Sequence, residues 1–369
     1  MQVILNKENF DRSVNLLSKV QAKRSKLVAE EQGQAVLDFV SQFTDVDDPK
    51  TEVLKIINVF NIQALSDNYI KSIINLNKIN DIRGIDRFLR TVNSKLPQDG
   101  MFIGCAETQL ERRKRLFKKF PFYVAPFYFF FDFILKRVFP KLPVTREIYF
   151  LITAGRNRVL SKAEVLGRLA FCGFQIVDER EIGNLLYFVG TKTKSHTDCS
   201  EKHPSFGFMF KTERIGQSEK PVTVYKIRTM HPYAEYLQEY IFKRNQLQPG
   251  GKIKNDYRIT SWGRVLRRLW IDEIPMIYNL LTGELKLVGV RPISQHYMTL
   301  YTEELKQKRF KAKPGLVPPF YADLPKSIEE IMQSELRYLD LYAKHPFKTD
   351  VKYFFKAMKN ILFKNARSN

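Results

Sequence analysis

The stretch NDYRITSWGRVLRRLWIDEIPMIYNLLTGELKLVGVRP, residues 255–292, predicts how the C-terminal half of the chain folds. Thr260 or Ser261 can cap a short helix over WGRVLRRL, because a hydroxyl oxygen accepts a hydrogen bond from a free amide at a helix start. Asp272 is predicted to cap a second helix, and Gly283 marks the end of that helix. The run ELKLVG then predicts a strand. The stretch indicates a mixed α/β domain.

Asp272 and Glu273 are adjacent carboxylates, and the residues alone leave two interpretations open. The first is a helix start, where acids and the proline at position 275 are both favoured. The second is chemical, since a helix N-terminus stabilises negative charge and binds phosphate. An ionised carboxylate can attack a phosphate there if a divalent ion and arginines neutralise both groups. Successive helical side chains point about 100° apart, so one carboxylate can face the phosphorus while the other holds the metal.

Residues 213–230, ERIGQSEKPVTVYKIRTM, predict a β-hairpin that carries two cations. A turn signal at residues 216–218 precedes the alternating apolar residues of a strand. Lys226 and Arg228 are two positions apart, so they fall on one face of that strand. This face is either solvated or part of a site that binds an anion.

Together with YTEELKQKRFKAKPGL at 301–316, these blocks resemble the bacterial sugar transferase family, the monotopic polyprenyl-phosphate phosphoglycosyl transferases, over roughly residues 205–365. The resemblance implies transfer of a sugar phosphate from a UDP-sugar to a polyprenyl phosphate, with release of UMP. It also implies a covalent phosphosugar–aspartate intermediate and Mg²⁺. Asp272 would be the nucleophile, and Asp272 and Glu273 the catalytic and metal-binding pair. The phosphate contacts that the resemblance implies are Lys226, Arg228, Arg267 and Arg291.

The chain departs from the pattern of this family at four places. GVRP at 289–292 stands where the family has GPRP, and LVPPFYADLP follows the KPG at 313–315 where the family continues with TGxxQV. Residues 231–252 make a longer connection than usual. The re-entrant membrane helix that the family places just upstream of the hairpin is replaced by a helix and two strands. A second interpretation is therefore a catalytically inactive sugar-transferase-like adaptor in a glycan assembly complex.

The N-terminal half predicts a second α/β domain. Strands over SIINLNKIND and DGMFIGCAET enclose a helix over IDRFLRTVNSKL, and a capping box of Ser161 and Glu164 opens a helix that runs to Gly173. FQIVDE and LLYFVGTK then predict a closing pair of strands. This order resembles the C-terminal half of a class I methyltransferase-like domain. Residues 1–60 contain one glycine, Gly33, so the glycine-rich loop for S-adenosylmethionine is missing and we interpret the domain as a non-catalytic scaffold.

The predicted fold is thus a truncated Rossmann-like N-terminal domain followed by a mixed α/β sugar transferase domain with amphipathic membrane-surface helices. The predicted boundaries are 1–193 for the methyltransferase-like domain, 194–220 for a linker and the start of the hairpin, and 205–369 for the transferase domain. Residues 112–142 are predicted to associate with membranes. Their aromatic run, 120–135, has cations at both ends and is shorter than the roughly 20 apolar residues of a membrane span. The alternative is a buried aromatic helix with basic ends.

The charge of the chain favours an anionic partner. Lys and Arg total 61 against 39 acids, which gives a net charge of +22. The basic residues lie beside aromatic and amphipathic stretches rather than in a known nucleic-acid motif, so we predict an anionic membrane and no nucleic acid. The run DVKYFFKAMKNILFK, 350–364, predicts a basic amphipathic helix on the bilayer, with a core-docking helix as the alternative.

The cysteines and the N-terminus predict a location. The three cysteines are far apart, and the first residues lack the apolar core of a signal peptide, which favours a reducing, cytoplasmic environment. The resemblance implies the cytoplasmic face of a bacterial inner membrane. It also implies a role in exopolysaccharide or lipopolysaccharide biosynthesis, with undecaprenyl phosphate as the polyprenyl acceptor.

Overall fold

The computed structural model describes residues 24–57, 59–195, 207–245, 247–248, 252–253 and 255–363. It contains two compact units. Unit 1 comprises Met1–Pro204 with Pro232–Leu237, and unit 2 comprises Ser205–His231 with Gln238–Asn369. The predicted mixed α/β class is confirmed. Within the described ranges, no helix combines the length and the apolar character needed to cross a bilayer.

Unit 1 is built on a mixed sheet. Its strands are β1 Thr51–Leu54, β2 Ser72–Lys78, β3 Met101–Ala106, β4 Phe174–Ile182 and β5 Leu185–Lys192. Their order is β1-β2-β3-β5-β4, with β1 to β3 parallel and with β5 antiparallel to both β3 and β4. The predicted strand, helix, strand, helix and closing strand pair are therefore present.

The helices of unit 1 precede, connect and flank these strands. They are α1 (24–32), α2 Gln34–Val40, α3 Phe60–Gln63, α4 Ile85–Lys95, α5 Gln109–Lys119, α6 Ala125–Phe133, α7 Pro143–Thr153 and α8 Lys162–Phe171. The alternation along β3 sends Ile103 into a core cluster with Phe39 of α2. Phe102 lies 5.9 Å from Phe188 between ring centroids. Gly104 leaves room for that ring, because a Cβ there would lie 2.8 Å from Phe188.

The capping box at Ser161 is confirmed in one of its two contacts. The Ser161 hydroxyl accepts the amide of Glu164 at 3.1 Å. The predicted return contact is wrong, because the Glu164 carboxylate accepts from Arg137 at 2.5 Å and from Lys141 at 3.2 Å instead. A charge-assisted bond to a cation is stronger than one to a backbone amide. The surrounding cations outweigh burial and lower the pKa of Glu164.

Unit 2 combines short sheets with helices. Its strands are β6 Met209–Ile215, β7 Pro221–Ile227, β8 Leu247–Gln248, β9 Lys252–Ile253, β10 Lys286–Val288 and β11 Gly315–Val317. Its helices are α9 Gln238–Asn245, α10 Ser261–Arg268, α11 Met276–Leu281, α12 Gln295–Met298, α13 Glu303–Lys311, α14 Phe320–Asp323, α15 Ile328–Lys344 and α16 Pro346–Phe363. The pairs β6/β7 and β8/β9 are antiparallel, and β10/β11 is parallel.

The C-terminal helix, α16, docks on the core of unit 2. Tyr353 contacts the fully buried Tyr338 of α15 at 5.0 Å between ring centroids. Another face of the same helix leaves Phe347, Phe355 and Leu362 exposed. The core-docking interpretation therefore describes one face, while a second, apolar face remains on the surface beside the lysines.

Candidate active site

The hairpin of β6 and β7 brings Lys226 to the candidate site. The hairpin forms as predicted. The face of β7 that buries Val222 and Val224 continues to Lys226, because side chains alternate along a strand. The Lys226 ammonium donates a hydrogen bond to Oε1 of Glu273 at 2.6 Å. This face therefore supplies a cation to the carboxylate pair.

Arg228 lies just beyond the end of β7 and contacts the hairpin itself. Its Nε donates to the carbonyl of Gly207 at 3.1 Å, and its guanidinium lies 5.0 Å from the ring centroid of Phe210. These contacts hold Arg228 beside β6. The structure brings Lys226 to Glu273, and the described contacts of Arg228 lie elsewhere.

Asp272 and Glu273 lie in a 3₁₀ turn, Ile271–Glu273, and not at the start of an α-helix. The next helix begins at Met276 behind Pro275, so the predicted N-cap role of Asp272 is wrong. Proline starts that helix without a side-chain cap, since its fixed φ suits a first turn and it has no amide hydrogen to satisfy. Side chains one residue apart in a 3₁₀ turn point about 120° apart, so the two carboxylates have different surroundings.

Trp270 gives this turn its direction. Its backbone is left-handed, with φ of 60°, and it lies two residues after the end of α10. The amide of Glu273 then closes the 3₁₀ turn on the Trp270 carbonyl at 3.2 Å. A left-handed residue other than glycine is uncommon and is maintained by its surroundings. The Trp270 ring packs against Tyr321 at 4.7 Å between centroids.

Helix α10 carries Arg267. Thr260 caps this helix as predicted, because its hydroxyl accepts the amide of Gly263 at 2.9 Å. Gly263 approaches the Thr229 carbonyl so closely that a Cβ would lie 2.1 Å from the oxygen. Nε of Arg267 donates to the Thr229 hydroxyl at 2.8 Å. A close helix–loop contact thus orients Arg267.

Arg291 lies beside Glu273, two residues after Gly289, where two backbone segments pass close to each other. Gly289 and Gly315 pass each other so closely that a Cβ on Gly315 would lie 2.1 Å from the Gly289 nitrogen. Nη2 of Arg291 lies 4.0 Å from Oε1 of Glu273. The carbonyl of Arg291 accepts Nη2 of Arg309 at 2.6 Å. The GVRP block has Val290 where the family has proline, and it still holds the Arg291 cation next to Glu273.

The two carboxylates differ in their electrostatic surroundings. Burial disfavours an ionised Glu273, but the charges of Lys226 and Arg291 outweigh burial and lower its pKa. Burial and the neighbouring Glu273 charge raise the pKa of Asp272, against the opposing effects of Lys226 and Arg267. Asp272 is 8% exposed. No cation of the described part of the chain forms an ion pair with it, whereas Glu273 is paired with two.

The two carboxylates of this site would suit Mg²⁺ if substrate phosphates and water completed its ligands. Asp272 and Glu273 supply two carboxylates, and no group of three or more metal-ligating side chains occurs in the described ranges. Mg²⁺ is usually held by one or two carboxylates together with substrate phosphates and water. A divalent cation would also offset the repulsion from Glu273 that raises the pKa of Asp272. The chemistry of the two residues is therefore compatible with the implied metal.

A cavity of about 710 Å³ lies elsewhere, in unit 1. Its wall includes the pair of Lys78 and Asp81 at 4.0 Å and the pair of Arg115 and Glu107 at 2.6 Å. These charges neutralise each other within the wall. Adjacent carboxylates with converging cations are found in unit 2, so we place the candidate chemistry there and not at the cavity of unit 1.

Two positioning residues of the site were not predicted from the sequence. Thr229 holds Arg267 through its hydroxyl and accepts the Thr260 amide at 3.0 Å through its carbonyl. Arg309 supports the backbone of Arg291. Arg309 falls within the block at 301–316 that resembles the family, and that membership was an available signal. Thr229 falls within the YKIRTM run at 225–230, which also resembles the family, so the same signal was available for it.

Comparison with known proteins supports the family resemblance that the C-terminal sequence blocks predicted. Residues 198–364 match the family described as bacterial sugar transferase. The chain is 38% identical over 107 residues to the uncharacterized sugar transferase EpsL of Bacillus subtilis, covering 29% of this chain and 46% of that one. It is 35% identical over 109 residues to the undecaprenyl-phosphate galactose phosphotransferase of Salmonella typhimurium, covering 28% and 23%. The predicted family resemblance of the C-terminal half is confirmed.

The remaining comparisons define the extent of these similarities. The galactosyl transferase CpsE of Streptococcus agalactiae is 28% identical over 158 residues, covering 42% of this chain and 34% of that one. The chain thus spans less than half the length of these curated relatives. A solved SAM-dependent methyltransferase from Thermotoga maritima aligns with 36% of this chain and 61% of its own at 14% identity. Its TM-score of 0.23 is too low to bear on the fold.

Proposed function

We propose that this protein, whose C-terminal half is the bacterial sugar transferase segment, moves a sugar 1-phosphate from a UDP-sugar to a polyprenyl phosphate and releases UMP. Relatives named as a phosphotransferase acting on undecaprenyl phosphate support this substrate class. The observation that carries the proposal is the state of Asp272. It is a buried carboxylate without an ion pair among the described residues. The neighbouring Glu273 is ionised, and Lys226 and Arg291 compensate its charge.

In the first step, the Asp272 carboxylate attacks the phosphorus that bears the sugar. A bond forms between the Asp272 oxygen and that phosphorus, the phosphoanhydride bond breaks, and UMP leaves with the bond electrons. Two anions meet in this step, so nearby positive charge lowers its barrier. Lys226, Arg267 and Arg291 supply that charge, because each acts electrostatically on the carboxylate pair.

In the second step, a phosphate oxygen of the polyprenyl phosphate attacks the same phosphorus. The bond to Asp272 breaks and the carboxylate is restored, while the product carries a new diphosphate between sugar and lipid. Mg²⁺ held by Asp272 and Glu273 would neutralise phosphate charge in both steps. Splitting one transfer into two through a covalent intermediate is a common use of a carboxylate nucleophile.

We further propose that this reaction takes place at the cytoplasmic face of a bacterial inner membrane, in exopolysaccharide or lipopolysaccharide assembly. The polyprenyl acceptor is a membrane lipid, so the enzyme must work at a bilayer surface. Two relatives named as exopolysaccharide production proteins support the assignment to glycan assembly.

UMP release tests the proposal directly. The full chain is incubated with polyprenyl phosphate, Mg²⁺ and a panel of UDP-sugars in detergent or nanodiscs. UMP is expected with at least one sugar, and its release is expected to stop when EDTA removes the metal. If no UDP-sugar yields UMP while the chain remains folded, the inactive adaptor becomes the better interpretation.

We expect Glu273→Gln to raise the Mg²⁺ concentration needed for half-maximal turnover. A neutral amide is a poorer ligand for a hard cation than a carboxylate. Mg²⁺ titrations of UMP release measure the effect, with the exposed Glu213→Gln as the matched control. An unchanged Mg²⁺ requirement in Glu273→Gln would remove Glu273 from the metal site.

The rate is also expected to depend on pH through Asp272. The nucleophile must be ionised, and burial together with Glu273 raises its pKa. In the proposed reaction Mg²⁺ arrives with the substrate, so kcat/KM reports the pKa of the free enzyme, and kcat/KM is therefore lost as pH falls through a value above the usual Asp pKa of about 3.9. Lys226 opposes that rise, so Lys226→Met should move the acidic limb to higher pH, whereas the exposed Lys220→Met should leave it in place. If the acidic limb of the pH profile keeps its position or shifts to lower pH in Lys226→Met, Lys226 does not have this effect on Asp272.

A further inference from the structure

Residues 120–153, which we call the aromatic arm, expose large apolar side chains on both of their helices. In α6, Phe127 is 70% and Phe131 is 60% exposed. In α7, Leu151 is 86% and Ile152 is 76% exposed. Phe130 extends the apolar face of α6, and Leu135 continues it in the turn Ile134–Val138 that follows. Val144 and Ile148 extend the apolar face of α7 at the spacing of one helical face. The interpretation of this region as a buried aromatic helix is therefore wrong.

The interior side of the arm, in contrast, is charged. Asp132 of α6 is buried and accepts Nε and Nη2 of Arg112 at 2.6 and 2.9 Å. Arg112 also donates to Glu107 at 2.9 Å and to Asn157 at 2.8 Å. The side of α6 that faces the domain is thus held by ion pairs and hydrogen bonds.

The second half of the arm is anchored in the same way. Arg137 is buried and donates to the Val159 carbonyl at 2.8 Å as well as to Glu164. The hydroxyl of Tyr149 donates to the Arg156 carbonyl at 2.5 Å. Polar contacts therefore attach α6 and α7 to unit 1, while their apolar faces point away from it.

This arrangement is the reverse of a water-soluble helix, which buries its apolar stripe and exposes its charges. A contiguous apolar surface on a folded domain indicates a protein or membrane partner. At the border of the arm Arg113, Lys118 and Lys119 are exposed, whereas Arg112 and Arg137 are buried in ion pairs. Aromatic side chains bordered by cations suit the headgroup level of an anionic bilayer. Protein interfaces are instead depleted in lysine.

We propose that the aromatic arm is the membrane-binding surface of unit 1, with α6 and α7 lying in the headgroup region of an anionic bilayer. Helices of this length extend roughly 14 to 17 Å, about half of the 30 Å hydrocarbon core, so they lie in the interface and do not cross it. The purpose of this surface rests on the proposed function, since it would keep unit 2 beside its lipid acceptor. It also accounts for apolar residues of α7 that lie outside the predicted segment 112–142.

Vesicle flotation of the full chain tests the arm. Vesicles of phosphatidylglycerol and phosphatidylethanolamine are compared with vesicles of phosphatidylcholine alone. We expect binding to the anionic vesicles that weakens at high salt. The double variants Phe127→Glu/Phe131→Glu and Leu151→Glu/Ile152→Glu should each lower the bound fraction about tenfold or more. The matched control is Phe60→Glu, which changes a side chain of unit 1 that is 75% exposed and lies outside the arm.

The outcomes separate lipid binding from self-association. Either double variant floating like the wild type would overturn the role of its helix. Loss of self-association in the variants, with no vesicle binding by the wild type, would assign the surface to a second copy of the chain. Since charged substitutions can disturb folding, Phe131→Trp gives an independent readout. Its fluorescence should be quenched by brominated acyl chains, and absence of added quenching would contradict insertion.

Failure of the chemistry and failure of lipid binding are distinguishable. Flotation needs no turnover, so Asp272→Asn should float like the wild type. A chain that floats but releases no UMP from any UDP-sugar contradicts the proposed function and leaves the arm as a lipid-binding surface. A chain that releases UMP in detergent but does not float contradicts the arm alone.

Discussion

Asp272→Asn is expected to lose at least about 10⁴-fold of the rate of UMP release, the scale of loss when a member of a catalytic unit is removed. A neutral amide cannot form the bond to phosphorus that the proposed first step requires. The fold should persist, because the Asp272 side chain caps no helix and Asn has nearly the same shape. Burial disfavours the charged form of Asp272, so the loss of this charge should not lower the free energy of unfolding.

The comparison variant for this test is Asp340→Asn, which neutralises a half-exposed acid of unit 2 on α15. It should retain the wild-type rate. Mass spectrometry supplies the positive result, since incubation with a UDP-sugar and no acceptor should leave a phosphosugar adduct on Asp272. Turnover of Asp272→Asn at the wild-type rate would end the nucleophile assignment.

Arg112→Leu should have the largest effect on stability, lowering the free energy of unfolding of unit 1 by about 3–5 kcal/mol. Removing one partner of a buried ion pair leaves the opposite charge without compensation. Arg112 is 2% exposed and faces two buried carboxylates, Asp132 and Glu107. Lys136 and Arg115 stay bound to those carboxylates, so the loss should not exceed this range.

Denaturant unfolding of unit 1 measures this loss, and Arg113→Leu is the control on the same helix. Arg113 is exposed and lies over the ring of Phe117, so its replacement should cost less than about 1 kcal/mol. Arg112 and Lys136 outweigh burial and lower the pKa of Asp132. The stability contributed by Asp132 is therefore present near neutral pH and is lost as pH falls through its lowered pKa. If Arg112→Leu and Arg113→Leu lower the free energy of unfolding equally, the buried ion pairs of Arg112 contribute no additional stability.

Local patterns predicted most of the regular structure. The alternation before Lys226 predicted the strand, Thr260 predicted the start of α10, and Gly283 predicted the end of α11. Each of these signals acts within a few residues, because a cap or a strand face is defined by its own backbone hydrogen bonds. For the same reason, the predicted order of elements in unit 1 agrees with the structure.

The local sequence around Asp272 did not determine its backbone structure. An acid three residues before Pro275 is as consistent with an N-cap as with a 3₁₀ turn. The left-handed backbone of Trp270 decided between them, and it is maintained by packing against a ring from α14. Likewise, Arg228 shares a strand pattern with Lys226 but contacts Phe210.

The sequence by itself determined the resemblance of the C-terminal half to the bacterial sugar transferase family, most elements of both halves and the residues available for chemistry. Only the tertiary structure decided which of those residues meet. Lys226 and Glu273 are 47 positions apart and contact each other because the hairpin packs beside the 3₁₀ turn. The ion pair between Asp132 and Arg112 orients the aromatic arm, so its apolar face lies on the surface. Short-range patterns specify backbone geometry, whereas contacts between distant side chains depend on how the finished elements pack together.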